Sequence, residues 1–195
     1  MSHTSETRIY TVPPDGFPSD TSFNEQFKSF SSTEGNAAYN RKDQLHYVSG
    51  STRSGYAIET LNNILKANPL SALEFLTWTG YQYRLKGKFD QDILVTVLDR
   101  TRQNQVIAEL QQLFADLKAN PEIVYEAEDY GCLGEGDVEA ALNREYVSAQ
   151  PWFDPEVNGD EGQSADYLFV YLRSVLTVIQ NANLEGLLVV YELEP

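Results

Sequence analysis

Apolar positions along this chain recur with two different periods, and the switches between them outline an alternation of strands and helices. The clearest helical stretch runs from Gln103 to Lys118, with Val106, Ile107, Leu110, Leu113, Phe114 and Leu117 on one face and Asn120-Pro121 as its stop. A second carries Ile58, Leu61, Ile64 and Leu65 and ends at Asn68-Pro69. A third carries Leu168, Leu172, Val175, Leu176 and Ile179; Asp166 is placed to cap its start, and its end falls near Asn183. A short helix over about Val138 to Tyr146 completes the set, and Leu70 to Leu76 has the character of one more helical start.

Strand patterns fill the intervals. Arg8 to Val12 reads as a short strand stopped by Pro13-Pro14, and Leu45 to Val48 as a second. Tyr81, Tyr83 and Leu85 alternate with polar residues, Lys86-Gly87-Lys88 can turn the chain, and Ile93 to Leu98 returns, so a β-hairpin is expected here. Ile123 to Tyr125 is a further short strand. Leu187 to Tyr191 is a continuous apolar run, which requires cover on both faces of a sheet. Interleaved strands and helices with one hairpin predict an α+β fold: a single domain over residues 1–195, with a mixed, partly antiparallel central sheet packed by about four helices.

Two segments depart from this rhythm. Residues 1–43 are rich in loop-forming residues, yet Phe17, Phe23, Phe27 and Phe30 stand among Pro13, Pro14, Gly16 and Pro18. A disordered leader is poor in aromatics, so residues 13–40 are expected to form a long ordered loop packed on the core. Residues 126–165 form the second exception, an acidic and loop-rich segment.

Charge sharpens the picture. The 195 residues hold 29 acidic and 14 basic side chains, for a formal charge of −15. Residues 1 to 120 contain 13 acids and 12 bases, whereas residues 121 to 195 contain 16 acids and only Arg144 and Arg173 as bases. The two parts therefore contribute −1 and −14. Contacts to nucleic-acid phosphates or anionic membranes need clustered Lys and Arg, so this imbalance excludes both as direct ligands of the acidic part and favours a basic protein partner.

Length and composition set further bounds. A chain of this size buries roughly 70% of the surface it would expose unfolded, enough for a stable core without disulfides or a structural metal. Cys132 is the single cysteine, which rules out an internal disulfide. The start, Met1-Ser2-His3-Thr4-Ser5-Glu6, shows no secretory pattern, and no apolar run approaches the length of a membrane helix. A cytoplasmic location is the expectation.

Candidate chemistry is sparse. Gly50 and Gly55 match the outer glycines of a phosphate-binding loop between a strand and a helix, but Tyr56 and Ala57 stand where the loop needs Lys and then Ser or Thr. Ser51, Thr52, Arg53 and Ser54 remain as an alternative anion site for a small-molecule enzyme or ligand-binding domain. A plain capping turn accounts for the same residues. Asp154-Pro155-Glu156-Val157-Asn158-Gly159 resembles the first half of a calcium loop, and Glu161 and Ala165 break the second half, so no metal site is assigned. His3 and His46 are the only histidines, too few with Cys132 for a zinc centre. Carboxylates beside Cys132 in sequence raise the pKa of a thiol rather than activate it, and His46 in a strand reads as a structural residue, although a His46–Cys132 pairing is sterically open. No catalytic residue and no cofactor is assigned, and an enzyme is the less favoured class. The other class left open is a structural subunit.

The acidic segment carries the strongest functional signal. Glu126, Glu128, Asp129, Glu135, Asp137 and Glu139 lie within fourteen residues, followed by Asp154, Glu156, Asp160, Glu161 and Asp166, with Tyr130, Tyr146, Trp152 and Phe153 interleaved. Carboxylates that steer encounter, combined with aromatic anchors, form a docking surface suited to a basic protein. The expectation is a small binding protein that inhibits or regulates such a partner, as an immunity protein does for a nuclease-type toxin. A solubilising face that binds nothing is the competing explanation.

Overall fold

In the computed structural model, the residues described are 6–18, 23–30, 45–51, 71–76, 80–86, 91–120 and 165–194. Five strands form one sheet: β1 (Glu6–Val12), β2 (Tyr47–Ser51), β3 (Tyr83–Lys86), β4 (Asp92–Leu98) and β5 (Leu188–Glu194). Their order is β2-β1-β5-β4-β3 and each described pairing is antiparallel. The helices are α1 (Phe23–Phe30), α2 (Arg100–Ala119) and α3 (Ala165–Glu185), with a 3-10 helix at Ser71–Leu76. The architecture is α+β, as the alternation of periods predicts.

The apolar run near the C-terminus becomes the middle strand. β5 lies between β1 and β4, and its residues from Val189 to Leu193 are all buried. Successive side chains of a strand point to opposite faces, which divides the core in two. Ile9, Val48, Leu94, Leu98, Val189, Tyr191 and Leu193 face the layer formed by α2, α3 and the 3-10 helix. Tyr10, Tyr47, Leu85, Val95 and Val190 face the opposite way, toward Phe23 and Phe27 of α1.

On the first face, α2 buries Val106, Leu110, Leu113 and Leu117, the stripe its sequence spacing predicts, while Ile107 and Phe114 pack at the margin. The helix starts at Arg100, earlier than its apolar stripe suggests, because Asp99 is the N-cap and its side chain accepts a bond from the Arg102 N–H at 2.9 Å. α3 starts at Ala165, so Asp166 lies within the first turn instead of ahead of it. It runs past Asn183 to Glu185 and stops at Gly186, whose φ of +72° is a left-handed conformation open to glycine. The Leu187 N–H then closes back on the Ala182 carbonyl at 2.8 Å, a Schellman-type end.

The helix between β1 and β2 is the main departure from the sequence reading. Residues 23–30, expected within a long loop, are helical, and Phe23, Phe27 and Phe30 recur at the spacing of one helix face. Four phenylalanines pack together as expected: Phe17 lies 5.9, 6.4 and 5.3 Å from Phe23, Phe27 and Phe30, and Phe23 stacks on Tyr83 at 3.9 Å. The flanking Pro and Ser residues hide this periodicity in the sequence.

The hairpin β3–β4 forms with Tyr83 opposite Val95 and Lys86 opposite Asp92. Of the stretch Leu70 to Leu76, Ser71–Leu76 forms a short 3-10 helix of two turns, which sends Leu73, Phe75 and Leu76 into the core. Gly80 follows it in close contact, since a Cβ there would lie 2.0 Å from the Glu74 carbonyl oxygen. The expected strand at 123–125 and the helices over Ile58–Leu65 and Val138–Tyr146 lie outside the described residues.

Candidate functional site

The two functional regions read from sequence fall differently on this framework. Glu126, Glu128, Asp129, Tyr130, Glu135, Asp137, Glu139, Trp152, Phe153, Asp154, Glu156, Asp160 and Glu161 all lie outside the described residues, as does Cys132. Of the alternative anion site, Ser51 is described and closes β2, pairing in register with Glu6, while Gly50 pairs with Thr7. The first two residues of that glycine turn are therefore part of a β-ladder. Thr52, Arg53 and Ser54 lie outside the described residues.

The described elements do show where the acidic segment is rooted. Asn183 near the end of α3 donates to Asn104 at 3.0 Å and to Gln103 at 3.4 Å near the start of α2, so the two helices pack antiparallel. Helices of 20 and 21 residues have nearly equal length. The end of α2 at Asn120 and the start of α3 at Ala165 consequently lie at one end of the helical layer, opposite the Asn183–Gln103 contact.

Several charges on the described framework are committed to one another. Arg8 on β1 bonds Glu192 on β5 at 2.6 Å and Glu194 at 3.4 Å, and the Tyr10 hydroxyl donates to the second oxygen of Glu192. Register explains this grouping: Arg8 stands opposite Glu192 and one strand position pair from Tyr10, all on the face shared with α1. Glu192 is 1% exposed, and a buried carboxylate persists only when paired and hydrogen-bonded. On the hairpin, Asp92 meets Arg84 at 2.5 Å and Lys86 at 2.9 Å. Hydrogen bonds from Arg84 and then Lys86 hold its carboxyl below the usual carboxylate range, and the same contact raises Arg84.

Between Glu126 and Glu161 the sequence has eleven acids against one base, Arg144, a balance of −10. Arg8, Lys28, Arg84 and Lys86 from the front of the chain are each paired with a described carboxylate.

His46 is the described residue with the widest chemical repertoire. It precedes β2, and its backbone carbonyl accepts from the Thr11 N–H at 3.1 Å. Its Nδ1 lies 2.9 Å from the Thr11 hydroxyl, Asn181 of α3 approaches the ring at 3.3 Å, and Glu185 is 4.0 Å from Nε2. The arrangement ties the first strand pair to the end of α3, with His46 in the turn ahead of β2 rather than inside the strand that its apolar neighbours predict. Among the described residues no group of three or more His, Cys, Asp or Glu could hold a metal ion.

The partners of two buried polar groups and one half-buried carboxylate escaped the sequence reading. Gln103 is fully buried and donates to the carbonyls of Leu98 and Leu187, each at 2.9 Å, joining the exits of β4 and α3. Glu109 of α2 accepts from the Leu73 N–H at 3.1 Å and faces the amides of Ser71 and Ala72, closing the start of the 3-10 helix. Burial raises its carboxyl despite those donors. Tyr191 donates to the Leu76 carbonyl at 3.3 Å, and full burial pushes its hydroxyl well up. The helical spacing of Gln103 and Glu109 with α2 was visible; the carbonyls and amides they serve come from elements distant in sequence. No described helix is long and apolar enough to cross a membrane. No protein-family model, curated protein or solved structure matches the chain.

Proposed function

We propose that this chain is a cytoplasmic binding protein that inhibits or regulates a basic protein partner through residues 126–161. An immunity protein facing a nuclease-type toxin is the concrete form. The observation that carries the reading is the balance of eleven acids against one base in that segment.

A nuclease must present a cationic cleft to hold phosphates, and a surface dense in carboxylates competes for that cleft while excluding the nucleic acid. Long-range attraction accelerates encounter and is screened by salt, whereas desolvated aromatic anchors such as Trp152 and Phe153 would slow release. The division of labour gives a measurable signature. With a panel of basic nucleases, association measured from low to high salt should slow steeply, and changing Glu126, Glu128, Asp129, Glu135 and Asp137 to their amides should flatten that salt dependence. Binding whose rate and affinity are unchanged by the five replacements would overturn the proposal.

A further inference from the structure

We draw no further inference here: the strongest candidate, the Thr11–His46–Asn181–Glu185 cluster where the start of β2 meets the end of α3, places a hydroxyl 2.9 Å from an imidazole but consists of contacts already described as joining β1, β2 and α3, with nothing in the structure pointing to a ligand beside it.

Discussion

The two faces of the sheet are covered by different means. One is shielded by two long helices whose aliphatic stripes were evident in the sequence, and polar groups on it serve to fasten helix ends and turns, as Gln103 and Glu109 do. The other meets an eight-residue aromatic helix and carries the buried Arg8–Glu192–Tyr10 group in its midst. An aliphatic face tolerates rearrangement because its contacts are non-directional; a face built on ring stacking and a buried ion pair depends on register. The lesson is that the first and last strands, adjacent in the sheet, are aligned by charge as well as by backbone pairing.

The largest effects should come from truncating one anchor on each face. Phe169→Ala on α3 and Phe27→Ala on α1 are each expected to cost about 3–5 kcal/mol, since both side chains are buried. Equal losses in urea unfolding, at unchanged slope, would mean the faces unfold as one unit. A much smaller loss for Phe27→Ala would break the comparison by showing the aromatic cover to be dispensable.

Next in size is the ion pair. Glu192→Ala should cost about 3 kcal/mol, because the carboxylate that Arg8 faces is removed while the guanidinium stays largely buried. Replacing both Arg8 and Glu192 by apolar residues of similar volume should recover most of that loss. A double variant as unstable as the single one would show that the charges are needed for register beyond their mutual neutralisation.

A smaller effect isolates the helical layer. Gly186→Ala forces a side chain into the left-handed conformation that ends α3 and is expected to lower stability by about 1 kcal/mol. Thermal unfolding of this variant checks whether the junction between α3 and β5 is as strained as its geometry requires.

The smallest effects concern pH and have opposite signs. Asp92 is held low by Arg84 and Lys86, so its contribution is present above the ordinary carboxylate pKa and is lost as pH falls through its folded value. Asp92→Asn should therefore weaken the protein slightly at neutral pH, with the difference from wild type vanishing in acid. Glu109 is raised by burial, so its favourable contribution is complete below the ordinary carboxylate pKa and disappears as pH rises through its folded value. Glu109→Gln should accordingly flatten the decline across that interval, measured as unfolding midpoints of wild type and variant through the carboxylate range.

Local pattern was enough wherever an element's own neighbours decide its form. The stripe of α2, the hairpin β3–β4 and the buried character of β5 all follow from spacing within a few residues. Boundaries were less legible because caps act through single atoms: Asp99 starts α2 and Gly186 ends α3 irrespective of where the apolar repeat fades. The helix at 23–30 was obscured by proline and serine around it, although the phenylalanine spacing held the signal. As for the candidate site, sequence concentrated the carboxylates into one stretch, and the fold adds only that its flanking helices are rooted at one end of a layer.

By itself the sequence determined which segments must be helical or extended, that the last strand had to be covered twice, and where net negative charge accumulates, since each depends on residue type and local spacing. Only the tertiary structure decided which strands became neighbours, that Arg8 would meet Glu192, 184 positions further along the chain, and that Gln103 would bridge Leu98 and Leu187. Such long-range partnerships are chosen by register and burial: a buried polar group must find whichever donor or acceptor the folded chain brings to it, and that encounter has no signature in the neighbouring residues.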